Sequence, residues 1–187
     1  MTVGISVEKG KQDTPPLELH YLGDKVLRQK AKRIAKVDDE IRTLAKEMLQ
    51  TMYSSQGIGL AAPQVGVNKR IIVIDTDPEN PANAPLVLIN PEIKKTGKQL
   101  CSMEEGCLSI PGVYLGVIRP DEIEVSYRDE QGKPKRIKAS GLLSRVIQHE
   151  IDHLDGVMFV DRVENEIALS SQLKQRGFAL KSVQRIA

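Results

Sequence analysis

His149 and His153, four residues apart in the run QHEIDHLDG, carry the sharpest chemical signal in this 187-residue chain. On a helix, residues so spaced lie about 40° apart around the axis, so both imidazoles face one way and can grip a single ion. Glu150 follows the first histidine and points about 100° round the helix, where its carboxylate reaches a water at the metal without ligating it. That is the place of a general base. Two of the chain's 3 histidines fall in this one run. A catalytic ion needs three protein ligands and an open position, so a third donor must come from elsewhere. The long zinc-protease pattern continues through Gly156 but meets Phe159 where its third histidine belongs. Glu164 and Glu166 stand closer than the downstream glutamate of thermolysin-like enzymes. Cys107, in EEGCLSIPG, is the better donor: Gly106 permits close backbone approach, and Pro111-Gly112 is expected to turn the chain, so that a loop presents the thiolate. Cys101 lacks the adjacent glycine and reads as a structural thiol.

Elements must hold these groups. LLSRVIQHEIDHL, Leu142 to Leu154, has apolar residues at helical spacing with Gly156 beyond it, which predicts a largely buried helix. A second helix is expected over Asp38 to Ser54, behind acidic first-turn residues, and a third over Glu164 to Gln175. Arg70 to Asp75, Leu86 to Ile89, Glu122 to Tyr127 and Arg136 to Ala139 read as strands, the last two as a hairpin around Asp129 to Gly132. Gly57, Gly59, Pro63 and Gly66 mark a loop beside this sheet. The fold class is α+β: one domain with a central metal-binding helix among antiparallel or mixed sheets. Residues 1 to 16 read as a flexible arm, and 17 to 187 as the catalytic domain with its C-terminal helix and tail.

Composition closes several alternatives. Apolar residues make up 40% and charged residues 28%, which excludes disordered and collagen-like classes. The net charge of +2 is too small for a global nucleic-acid-binding field. No DNA partner is expected. No apolar run approaches the ~20 residues of a membrane span. The N-terminal stretch lacks an apolar signal core, so a cytoplasmic protein is expected. Lys174, Arg176, Lys181 and Arg185 form a basic tail with two readings, a solvated end or a contact to ribosomal RNA.

GIGLAAPQVG (Gly57 to Gly66), EGCLS (Glu105 to Ser109) and QHEIDH (Gln148 to His153) together resemble the three motifs of the peptide deformylases, in that family's order. The likeness runs from about Leu17 to Val163 and is closest to the bacterial type. It implies that Cys107, His149 and His153 hold one divalent metal, usually Fe2+, with water as fourth ligand and Glu150 as acid/base. It also implies that Gln64 and the Leu108 backbone N–H stabilise the oxyanion, and that Gly59 hydrogen-bonds the substrate. The substrate would be the N-formyl-methionine end of a nascent polypeptide, hydrolysed to formate and a free amine. Ile58 and Val146 are candidates for the apolar methionine pocket because each adjoins a proposed site residue. A thiolate and two imidazoles also suit Zn2+, Ni2+ or Co2+. Two rivals remain: a zinc endopeptidase, and a structural metal module closed by Cys101 or His20.

Overall fold

The structure is a computed structural model, described for residues 4–186. Three α-helices and seven strands follow one another as α1 (Asp39–Ser54), β1 (Gly59–Ala61), β2 (Ile71–Ile74), β3 (Leu86–Thr96), β4 (Leu100–Cys107), β5 (Ile110–Pro120), β6 (Glu122–Arg128), β7 (Pro134–Ser140), α2 (Gly141–Leu154) and α3 (Glu166–Gln175). Five strands form one sheet in the order β1-β2-β3-β6-β7, and β4-β5 form a separate hairpin. Every pairing between these strands is antiparallel.

Helix α1 starts where Asp38 caps it, its Oδ1 accepting from Ile41 N–H at 3.1 Å. The helix lays Ala45, Met48, Leu49 and Met52 against Leu60, Ile71, Val73 and Ile89 of the sheet. The methionines are core filler. Helix α2 covers the other face, where Ile147, Ile151 and Leu154 pack on Ile72, Ile74, Leu88 and Val125. It ends at Gly156, whose φ of +77° is the left-handed conformation that terminates helices at glycine. A third cluster joins β5 to α3 through Val113, Leu115, Val117, Leu169 and Leu173.

Two local expectations are corrected. The strand from Leu86 does not stop before Asn90-Pro91 but runs to Thr96. Asn90, at φ +51°, keeps its backbone N–H bonded to the Arg70 carbonyl at 2.8 Å, while its side-chain amide exchanges two 2.8 Å hydrogen bonds with the backbone of Ile34. Around Cys107 there is a hairpin, not a free loop: Cys107 pairs with Ile110, so Leu108 and Ser109 make the turn. Pro111 and Gly112 lie inside β5. Burial decides this, since Val113, Leu115 and Val117 alternate inward and pull the strand's start back to Ile110.

Residues 1 to 3 of the N-terminal arm, and Ala187 of the tail, lie outside the described residues. From Gly4 onward the arm follows the α1 side of the molecule, with Ile5 and Val7 packed against that core.

Candidate metal centre

The hairpin, β1 and α2 meet at a cleft of about 710 Å³. Cys107 enters it from the end of β4, His149 and Glu150 from the middle of α2, and Ile58 and Gly59 from the start of β1. Gln64, Leu108 and Val146 line it too. His153 lies one helical turn beyond His149, its Nε2 3.3 Å from Cys107 Sγ. The ligand atoms of Cys107, His149 and His153 all fall within 4.8 Å of one another. Among the described residues this is the group able to hold an ion, and neither Cys101 nor His20 joins it. His20 is instead paired with Asp24 at 3.1 Å. No protein donor from either candidate closes the coordination sphere.

The surrounding charges act on the two histidines in opposite directions. Glu105 Oε2 sits 2.8 Å from His149 Nδ1, which fixes that nitrogen as the donor and leaves Nε2 free for an ion. Glu105 is itself gripped by Arg119 through two bonds of 2.6 and 2.9 Å and by Arg145 at 2.9 Å. Arg119 reaches on to Asp152 at 2.7 Å, and Arg162 grips the same aspartate. Burial works against the Glu105 carboxylate, yet the Arg119 and His149 bonds outweigh it and hold its pKa far below the carboxylate range. Burial also disfavours a charged His149, but Cys107 and Glu105 beside it win and raise its pKa well above the usual value. His153, buried and next to His149, is driven well below.

Glu150 has no such partner. Burial pushes its pKa up to about 7, and its Oε2 is fully enclosed with no hydrogen bond. An enclosed, unpaired carboxylate oxygen beside a soft thiolate and two imidazoles fits a divalent ion and its water, which would supply the missing donor. Gly59 makes this approach of sheet and helix possible: a Cβ there would lie 2.5 Å from Glu150 Oε1 and 2.8 Å from Val146. Gln64 is anchored at both ends, its Oε1 accepting from Ala61 N–H at 2.9 Å. Its Nε2 donates to Ser109 Oγ at 3.1 Å and sits 3.5 Å from Cys107 Sγ. Phe159, in the place of the metzincin histidine, stacks on His149 with centroids 5.9 Å apart.

Sequence reasoning passed over Ser109, Arg145, Asp152 and Arg162. A signal existed for two of them: Arg145 and Asp152 are seven residues apart, hence on one face of α2, and both are charged on a helix otherwise destined for burial. Ser109 and Arg162 carry no mark in the sequence.

A helix-borne His-Glu-His set completed by a thiolate from a neighbouring hairpin, in an α+β domain, defines a mononuclear metal-dependent hydrolase. The chain belongs to the polypeptide deformylase family, whose model matches residues 16–168. It is 96% identical to a peptide deformylase of Picosynechococcus over 187 residues, covering 100% of both chains. It is 62% identical to peptide deformylase 1 of Nostoc over 98% of each. Among solved structures, a Synechococcus elongatus peptide deformylase in complex with actinonin superposes with a TM-score of 0.97 at 59% identity, covering 98% of this chain and 100% of that one. A plant peptide deformylase gives 0.81 at 40% identity, with 88% and 89% covered.

Proposed function

We propose that this chain hydrolyses the formamide bond at the N-terminal formyl-methionine of newly made polypeptides, releasing formate and a free methionine amine. One observation carries the reading: Glu150, its Oε2 enclosed and unpaired, adjoins His149 of the Cys107-His149-His153 donor set and packs its carboxyl against Gly59 of the edge strand β1. A peptide chain extended along β1 would pair with its free edge at Gly59, in the manner of an added strand. Ile58 and Val146 would line the methionine side chain's path. A divalent ion held by Cys107, His149 and His153 would supply Lewis acidity and bring the pKa of a coordinated water from about 15.7 toward about 7.

The protein's own groups account for the proton movements. Glu150 takes the proton of the attacking water and returns it to the leaving amine nitrogen. Gln64 Nε2 and the Leu108 N–H are the donors we assign to the oxyanion on the formyl carbon. Deep burial of Glu150 keeps its basicity high enough for both transfers. We assign Fe2+ as the native ion and the cytoplasm as the location, where nascent formyl peptides arise. No described helix is long and apolar enough to cross a membrane.

The test is formate release from a formyl-Met peptide by Fe2+-loaded protein, prepared under strict anaerobiosis and in air, beside Glu150→Ala loaded identically. Turnover by the wild type, with about 10²- to 10⁴-fold loss in the variant, is the expected result. Decay in air and persistence under anaerobiosis would support iron; equal half-lives would reject it. Absence of formate at full metal occupancy overturns the assignment.

A further inference from the structure

Away from the metal site, a buried and fully hydrogen-bonded charge cluster surrounds Asp75, the residue that follows β2. Its side chain is 0% exposed, and Lys9 of the N-terminal arm, 13% exposed, reaches it with Nζ 2.7 Å from Oδ2. Tyr53 OH, from the last turn of α1, donates to the same oxygen at 2.7 Å. Asp75 Oδ1 accepts from Asn83 Nδ2 at 2.7 Å and from Asp77 N–H at 3.0 Å. The Lys9 ammonium also donates to the carbonyls of Asn80 at 2.9 Å and Asn83 at 2.6 Å, so all three of its donors are used. Burial alone would raise the Asp75 pKa, but these donors, Lys9 first, bring it below the usual value.

The cluster adjoins the cleft. Asp75 N–H donates to the carbonyl of Ile58 at 2.9 Å, closing the strand pair immediately before Gly59. The arm secures the other flank of the same lip as well. Gln12 N–H donates to Ser54 Oγ and Leu17 N–H to Thr51 Oγ1, each at 3.2 Å, at the end of α1 where the chain enters the cleft wall at Ser55 to Gly59.

From this geometry we propose that Lys9 is a positioning residue: by locking Asp75 and the 75–83 turn, the arm holds the Ile58–Gly59 lip at the height at which a peptide pairs with β1. The inference rests on the reading of Ile58 and Gly59 as substrate-binding residues. It assigns the arm an effect on substrate binding, with none on the ion or on Glu150. Lys9 and the lip belong to elements separated by some fifty residues of sequence, and Asp75 joins them, its carboxylate to the Lys9 ammonium and its N–H to the Ile58 carbonyl.

The experiment uses the full, Fe2+-loaded chain and a formyl-Met tripeptide, comparing wild type with Lys9→Met. Loss of one charge-assisted bond network should raise KM about five- to tenfold while kcat stays within about twofold. Amide hydrogen exchange at Asp75 should accelerate, with the core amide of Val73 unchanged. A role confined to stability would lower the melting temperature and leave KM where it was. Unchanged KM, or unchanged Asp75 exchange, in a folded and metal-replete variant overturns the proposal. Should Lys9→Met fail to fold, Lys9→Met/Asp75→Asn carries the same test, because it removes the ammonium's bonds to Asn80 and Asn83 without leaving a buried carboxylate uncompensated. Lack of turnover by the wild type would overturn the functional assignment itself, and is read separately from the variant.

Discussion

At the scale of single residues, Glu150 shows how position selects chemistry. It is one of several carboxylates near the ion site, but Glu105 and Asp152 are gripped by arginines, whereas Glu150 is enclosed without a partner. Its pKa in the metal-free protein is raised from 4.5 to about 7. The folded state then binds the proton more tightly than the unfolded chain, so Glu150 is neutral in both states below about pH 4.5, costs stability as pH rises from there to about 7, and adds no further cost above it. Glu150→Gln removes that cost. The metal-free variant should melt near the wild-type temperature at pH 4.5, increasingly above it up to about pH 7, and by a constant margin from there to pH 8.5, as thermal scans across that range would register. Parallel curves for the two proteins would show that Glu150 does not titrate in this window. The motif spacing placed Glu150 beside the candidate donor set; its lack of a partner depends on β1 lying against α2, where Gly59 leaves no Cβ in the way.

Between elements, the ion site depends on how the β4-β5 hairpin docks against α2. Arg119 of β5 bridges Glu105 of β4 to Asp152 of α2, so one guanidinium sets both the spacing of the two elements and the orientation of His149. Arg119→Met would leave two buried carboxylates short of a counter-charge. Removing one partner of such a pair typically costs about 3–5 kcal/mol, which urea unfolding of the metal-free protein should read as a lower midpoint at unchanged slope. A loss under 1 kcal/mol would place the work of docking in the apolar cluster instead. The helices were legible because their apolar residues repeat at 3.6, and β2, β6 and β7 because they alternate or are wholly apolar. The hairpin was not. LCSMEEGC mixes apolar and polar residues without alternating, and β5 buries an arginine, so neither strand displays a period that a sequence reading can recognise.

For the molecule as a whole, the small net charge concentrates attention on where cations remain free. Arg185 is engaged by Glu166 at 2.9 Å, and Arg176 donates to the Gly112 carbonyl at 3.1 Å, so neither is fully available to a partner. Lys174 and Lys181 are exposed on the C-terminal segment. If this segment meets ribosomal RNA, Lys174→Glu/Lys181→Glu should weaken co-sedimentation with ribosomes and flatten its salt dependence, while turnover of a free formyl peptide is unchanged. Equal binding by both proteins across a salt series would reduce the tail to a solvated end. At this scale the N-terminal arm also changes meaning: a polar stretch with two prolines reads as loose, yet its Lys9 ends against the buried Asp75.

The sequence by itself marked His149, Glu150 and His153 as neighbours at one candidate site, because helical spacing dictates direction, and offered Cys107 as the third donor. It also determined the α+β class and the helix that carries the site, since hydrophobic periodicity is a local property. Tertiary structure alone decided which charges are satisfied: the Glu105–Arg119–Asp152 chain, the isolation of Glu150 and the Lys9–Asp75 lock. Each of these joins residues remote in sequence, and a charge's free energy depends on the groups that replace its water, which only the folded chain brings together.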